Sequence, residues 1–406
     1  MVKVISNTVD ITPNRPTYMA GYFTRNDKFK GIHDPIEAVI MWLEVDEVKN
    51  LFIVLDLSNL DCEFVDSIRS SIVKKCPVDE DKIVVAATHN HAGPVIVTRN
   101  KNQLVDPEYR VFVKQTVVEA AVGLYGQEKK VKRVVYTHGI STGYYGNRND
   151  RNRYGDNHIY MFEFRNEKDE NIAAIINLSC HASVLGPEMY EISGDLFAAL
   201  RRKMAYPLNV VPLIANGCAG DMSNRMYRHS NDYKEVERIS MGIASQILNF
   251  NEKQDILLSD EVVRQFEFRV KCDINAEPYI KKAKRLQEKI TDDLPYEERK
   301  VLESQIKACE RKVQSPHVDM NFKTTIIRMN NLEIIIIPGE ICAALGRQIK
   351  EASAAPCCYV WGYANGLAGY VVAANEFNSG MEGLSTLFPK GVAEEYVAKI
   401  IQNMVE

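Results

Sequence analysis

The feature that most constrains this chain is a series of short apolar runs, rich in branched side chains, that stop abruptly at polar residues or turns. Ala38 to Val45 (AVIMWLEV), Leu51 to Leu57 (LFIVLDL), Lys82 to Ala87 (KIVVAA), Ile172 to Leu178 (IAAIINL) and Asn331 to Pro338 (NLEIIIIP) are the clearest. Each has strand length and strand composition, and so reads as a buried strand. Weaker strands are expected at Val131 to Thr137, Ile159 to Phe164, Asn209 to Ile214 and Cys358 to Tyr363. Helical patterns lie between them, at Cys62 to Lys75, Pro107 to Gly123 and Leu196 to Met204. Strand and helix in alternation predict an α/β fold, a mixed β-sheet core flanked by helices.

One segment breaks the pattern. From Ala276 to Val313 the sequence turns rich in Lys and Glu. Tyr279, Ala283, Leu286 and Ile290 recur at helical spacing, as do Leu302, Ile306, Cys309 and Val313, with Asp-Asp-Leu-Pro between the sets. This predicts a helical hairpin with one narrow apolar stripe on each arm. We read it as a solvated excursion packed on the domain, in preference to a lid or a contact in a homo-oligomer. With 406 residues, 46% of them hydrophobic, the chain can build one large core. We take residues 1–406 as a single domain that includes the 276–313 hairpin.

Charge excludes some partners. The 50 basic and 54 acidic residues are intermixed and sum to -4, with no basic stripe of the kind nucleic acid requires. The start, MVKVISNTVDITPN, lacks a signal-peptide apolar core, and no run reaches the ~18 apolar residues of a membrane span. A cytoplasmic location is expected. Nine cysteines, odd in number and with no CxxC, fit buried thiols in a reducing compartment better than a disulfide framework.

Of the eight histidines, His138, His158, His229 and His317 lie in polar segments with no strand to deliver them. His33 sits beside Asp34 just before a strand. His89 and His91, in VVAATHNHAGP, follow an apolar run, and if that strand continues they share a face. His181, in NLSCHAS, also follows one, and Glu340, in IIIIPGE, stands just past another. Groups at strand ends are where open α/β sheets build sites, and a glutamate there is costly to bury unless paired or metal-bound. Imidazoles and a carboxylate are also the donors zinc takes, with one position left for water when the site is catalytic. From the residues alone, each group could be a ligand, a proton carrier or a hydrogen-bonding strand cap. The segment NGCAGDMSNR (Asn216 to Arg225) adds a tight loop in which Ser223 could be a nucleophile, a relay hydroxyl or a turn residue. It is not in GxSxG and has no local base, so a serine hydrolase is the weaker reading.

Taken together, the motifs resemble the neutral/alkaline non-lysosomal ceramidase family. DITP with MAGY, then GIHDP, LDL, THNHAGP, Asn147-Arg148, HAS, SGDL, AGDMSN, PGE followed by GR, GYANGLAGYV and EGLSTLF occur in the family's order along nearly the whole chain. The resemblance implies a ceramidase-like catalytic fold and a zinc amidohydrolase that cleaves an N-acyl bond with one Zn2+ per chain. By motif the ligands would be His89, His181, Glu340 and Tyr370. His91 would be the second active-site histidine, Arg148 a substrate-side arginine and Ser223 the catalytically important serine. The substrate would be a small N-acyl or O-acyl molecule. Asp221 and Asp34 are candidates to orient these groups.

Three departures shape the expectation. Phe377 and Met381 stand where ceramidases typically have tyrosines near the reacting carbonyl. The sequence runs out soon after EGLSTLF, without the C-terminal immunoglobulin-like domain of the secreted enzymes. The helical hairpin precedes the Glu340 strand. The reading is therefore a shorter relative whose substrate is not ceramide. A zinc deacetylase or esterase on a small polar molecule, or an inactive zinc-containing binding module for carbohydrate or lipid, is the alternative.

Overall fold

The computed structural model describes residues 1–98 and 103–404. Three sheets carry the fold. The first has the order Ile83–Ala87, Val48–Leu55, Glu37–Val45, Val2–Asp10, Lys129–Lys130. The second runs Leu213–Asn216, Asn171–Leu178, His158–Arg165, Arg133–Ile140, Glu252–Ile256, and the third Glu261–Asp273, His317–Met329, Leu332–Ile336, Cys357–Trp361.

The pleat separates two cores. Val39, Met41 and Leu43 point into one shared with Phe162, Ile175 and Leu213 of the second sheet and Ile334 and Trp361 of the third. Ala38, Ile40 and Trp42 face the other way, onto Phe64 and Ile68 of helix Cys62–Val73 and Val113 and Val117 of helix Pro107–Leu124. Trp42 Nε1 donates to Ala121 O at 2.8 Å, so the buried indole N–H is satisfied. The outer face of the second sheet, Ile176 and Leu178, is covered by Phe197 and Leu200 of helix Asp195–Leu208 and Ile239 and Ile243 of helix Tyr233–Leu248. The result is helices, sheet, sheet, helices, the mixed core expected from the sequence. Among the described residues, no helix is long and apolar enough to cross a membrane.

Each sheet is mainly antiparallel but has one parallel pair at an edge: Val48–Leu55 with Ile83–Ala87, Asn171–Leu178 with Leu213–Asn216, and Leu332–Ile336 with Cys357–Trp361. The candidate site is built where these strands end.

Several elements escape the apolar-run reading. Val2–Asp10 pairs with Glu37–Val45 over its whole length, and Glu261–Asp273 pairs with His317–Met329 from Glu261↔Met329 to Asp273↔His317. Both have a solvated side that dilutes the apolar signal. The strand expected from Asn209 starts at Leu213, because Asn209 caps the preceding helix in the left-handed region at φ 56°. The hairpin forms, as helices Glu277–Gln287 and Tyr296–Gln314. Its stripe residues Tyr279, Leu286, Ile306 and Cys309 pack together with Leu384. It packs on the domain as expected, and its second helix also walls the cavity described below.

Candidate metal centre

The strand Ile83–Ala87 ends two residues before His89, and His89 has φ 64°. The two histidines are therefore brought together by a turn, not by continued strand alternation, which corrects the sequence expectation. Two buried asparagines fix that turn. Asn90 Nδ2 donates to Asp56 O at 3.1 Å and Ser193 O at 2.7 Å, while its Oδ1 accepts from Ala92 N at 2.8 Å. Asn216, the last residue of its strand, donates to Thr88 O and Cys180 O, both at 3.0 Å, and so ties the His89 and His181 segments together. Gly21 of MAGY, at φ 95°, lies against the His91 ring so closely that a Cβ would come within 2.5 Å of it.

Both His89 and His181 are anchored from behind. His89 Nδ1 lies 2.8 Å from Ser58 O, and His181 Nδ1 lies 2.7 Å from Ala219 O and 3.1 Å from Met222 O. A carbonyl only accepts, so Nδ1 carries the proton in each ring and the Nε2 lone pair faces inward. Glu340 reaches the same point through the two-residue strand Glu340–Ile341, paired in parallel with Tyr370–Val371 so that Glu340 and Tyr370 are direct partners. Glu340 Oε2 is 3.4 Å from His89 Nε2 and 3.6 Å from His181 Nε2, and Tyr370 Oη is 3.5 Å from His181 Nε2. A tetrahedral shell with ligands ~2.0 Å from zinc has edges of ~3.3 Å. Two neutral imidazoles with inward lone pairs, a carboxylate and a phenol at these separations fit such an ion.

His91 is placed differently. Its Nε2 is 3.1 Å from His89 Nε2, and the ligand atoms of His89, His91 and His181 all lie within 4.8 Å of one another. Its buried Nδ1, however, has no hydrogen-bond partner among the described residues. Burial, then the neighbouring His89 and His181, pull its pKa well below the usual imidazole value. Burial and Arg148 also lower that of His181.

Arg148 is less open to substrate than its motif implies. Its Nε donates to Glu382, and one terminal nitrogen donates to Gly220 O at 2.9 Å and Tyr370 Oη at 3.1 Å. Burial disfavours this charge, but Glu382 and Tyr370 outweigh it and hold the guanidinium's pKa well above its ordinary value. Burial and Glu340 raise the Tyr370 phenol.

The remaining predicted residues divide. Ser223 lies in a short strand paired with Gly146–Asn147 and its Oγ accepts from Arg225 N at 3.1 Å; it lines one cavity with His91 and His181 but, among the described residues, is hydrogen-bonded to neither. Asp221 supports the loop from behind, accepting from Ala343 N and Asn147 Nδ2, both at 2.7 Å, and burial raises its carboxyl to about 6. Asp34 is not at the site; it accepts from Ser193 Oγ and Gly194 N. Met381 lines the site, whereas Phe377 lines a separate cavity with Lys312 4.9 Å over its ring. Two contributors went unread in the sequence: Tyr363, whose ring stacks on His89 at 4.3 Å, and Glu382, the first residue of EGLSTLF.

Two cavities meet here. One, of about 70 Å³, has His89, Glu340 and Tyr370 in its wall beside Pro94, Val95, Ile96 and Val97. The other, of about 380 Å³, has His91, His181, Arg148 and Ser223 on one side and the hairpin's second helix on the other.

No protein-family model and no curated protein matches the sequence. Among solved structures, the chain is similar over 100% of its length, and 75% of the other, to neutral ceramidase from Pseudomonas aeruginosa, with a TM-score of 0.76 at 17% identity. It is similar over 99% of its length to a ceramidase complexed with C2, covering 74% of that chain, with a TM-score of 0.76 at 16% identity. The mixed α/β fold is thus a neutral-ceramidase fold. The motif order and the backbone lead to the same family resemblance.

Proposed function

We propose that this protein is a zinc-dependent amidohydrolase that cleaves an N-acyl bond, and that its substrate is small and polar, not ceramide. The observation that carries the reading is the convergence of His89, His181, Glu340 and Tyr370, with both imidazole tautomers fixed from behind, at the junction of two cavities. The neutral-ceramidase fold supports the same class of reaction.

His89, His181, Glu340 and Tyr370 would hold the ion. When bound, zinc would supply a water with a pKa lowered to ~7 and polarise the substrate carbonyl. His91, half-buried and neutral beside the ligands, is the group to take the water proton and return it to the departing amine. The C–N bond breaks, water provides hydroxyl to the acyl carbon, and both protons end on amine and carboxyl groups. Arg148, clamped by Glu382, orients Tyr370 and places positive charge beside the developing oxyanion. Ser223 lines the larger cavity, where it would act as a hydrogen-bond donor; with no base hydrogen-bonded to it among the described residues, we do not assign it as the nucleophile.

The cavities bear on substrate. The smaller cavity, of about 70 Å³, where Pro94, Val95, Ile96 and Val97 stand beside Gln103 and Arg311, would suit a short acyl group. The larger one is walled by charged side chains. This favours a deacylase of a compact polar molecule. The test is metal analysis of the purified protein together with hydrolysis of short N-acyl and O-acyl substrates. One zinc per chain with amide cleavage is expected; zinc with no turnover of any member would leave a binding module instead.

A further inference from the structure

The larger cavity has an uneven charge balance. Arg148, Arg225, Arg228, Lys300 and Lys307 line it against two carboxylates, Glu303 and Glu310. Some are answered within the protein: Arg148 by Glu382, Lys307 by Glu310 at 2.8 Å, and Arg228 by Ser183 O at 2.8 Å. Arg225 is not. Its backbone N–H donates to Ser223 Oγ, but no hydrogen bond or ion pair engages its guanidinium among the described residues. Burial, and then the neighbouring Arg148, lower the pKa of that guanidinium. A largely buried guanidinium next to like charges is costly unless an anion meets it. The Lys300 ammonium, 5.6 Å over the Tyr22 ring, holds the hairpin helix against this side of the site.

We propose that the substrate is anionic: its amide lies at the histidine cluster, its short acyl group enters the smaller cavity, and an oxyanion on its amine half, a carboxylate or phosphate, is held by the Arg225 guanidinium. Arg148 and Arg228 line the same cavity beside it. The inference rests on the amidohydrolase reading for which bond is cut, and on the cavity alone for what is bound. It gives the hairpin a role, since a chain without it would lack one wall of the anion pocket.

Binding is measured on the full chain stripped of metal by chelator, with N-butanoylglycine, N-butanoyl-O-phosphoethanolamine and neutral N-butanoylethanolamine as probes in titration calorimetry. The anionic probes should bind about tenfold or more tighter than the neutral one, as expected for a charge-assisted hydrogen bond, and the tighter of the two distinguishes carboxylate from phosphate. Arg225→Gln should bring the ratio to near one. Arg225→Lys, a point charge in place of a planar fork, should retain part of it, and it carries the test if the glutamine variant does not fold. Equal binding of the neutral probe, no binding by any of the three, or a preference untouched in both variants overturns the proposal. Zinc-loaded protein then separates the two claims. An anion preference without hydrolysis refutes the amidohydrolase and leaves the pocket, whereas hydrolysis without the preference does the reverse.

Discussion

At the level of single residues, what separates the histidines is the atom each turns away from the centre. His89 and His181 give Nδ1–H to backbone carbonyls, the arrangement that fixes a metal-binding imidazole, while His91 Nδ1 has no such anchor. His91→Ala should therefore keep the metal and lose turnover by about 10²–10⁴, the usual contribution of a general acid and base. His181→Ala should lose the metal itself. Metal content beside kcat for both variants checks the pair of assignments, and metal lost in the His91 variant would exchange their roles. These roles could not be separated in the sequence, where His89 and His91 are simply two histidines after one strand. The anchoring carbonyls come from Ser58, Ala219 and Met222, distant in the chain and invisible to any local pattern.

Among elements, the site depends on parallel strands ending together. Ala87, Leu178, Ile336 and Trp361 each close a strand shortly before a site residue, which is why apolar runs followed by His or Glu were a usable signal for His89, His181 and Glu340. Tyr370 gave no such signal. It is delivered by a two-residue strand after an irregular turn, and only the family motif marked it. The short bridge Glu340–Ile341 is also closely packed against the loop before Ser223. A Cβ on Gly220 would fall 2.6 Å from Glu340 O and 2.9 Å from Cys342 N, backbone atoms that cannot step aside. Gly220→Ala should displace Glu340, lowering metal affinity about 10-fold or more while the far-UV circular dichroism is unchanged, in the range seen when a ligand's support is lost. Unchanged affinity would show that the strand has slack.

Over the whole molecule, buried charge pairs join the site to its surroundings. Lys350, on the helix Ala343–Ala352 that follows Glu340, lies 2.6 Å from Asp156, which in turn accepts from Ser179 Oγ at 2.7 Å just ahead of His181. Burial raises the Asp156 carboxyl, but Lys350 outweighs it and holds the pKa at about 2, below its usual 3.8. Its contribution to stability is thus present above pH ~4 and lost as pH falls through ~2. Lys350→Met should cost about 3–5 kcal/mol at neutral pH by stranding the carboxylate. With Lys350 gone, only His158 and Ser179 oppose burial, so the variant's Asp156 pKa should rise and its loss of stability on acidification should begin at a higher pH. Urea unfolding between pH 3 and 7 measures both.

The helical hairpin bears on the whole molecule too, because the strands flanking it stay paired up to Asp273↔His317. Replacing residues 275–315 with an Asn-Gly turn should leave cooperative unfolding intact, since such a turn closes a two-stranded ladder without strain. It should also open the larger cavity and reduce affinity for anionic ligands, which calorimetry would detect. A collapse of the fold would mean that the hairpin is structural.

The central claim is a single ion held by four named side chains, with His91 beside it. Anomalous diffraction at the zinc absorption edge from crystals of the zinc-loaded protein tests it directly. One peak is expected between His89 Nε2, His181 Nε2, the Glu340 carboxylate and Tyr370 Oη, with His91 outside bonding distance. A peak ligated by His91 in place of either imidazole, or no peak between these residues, would contradict it.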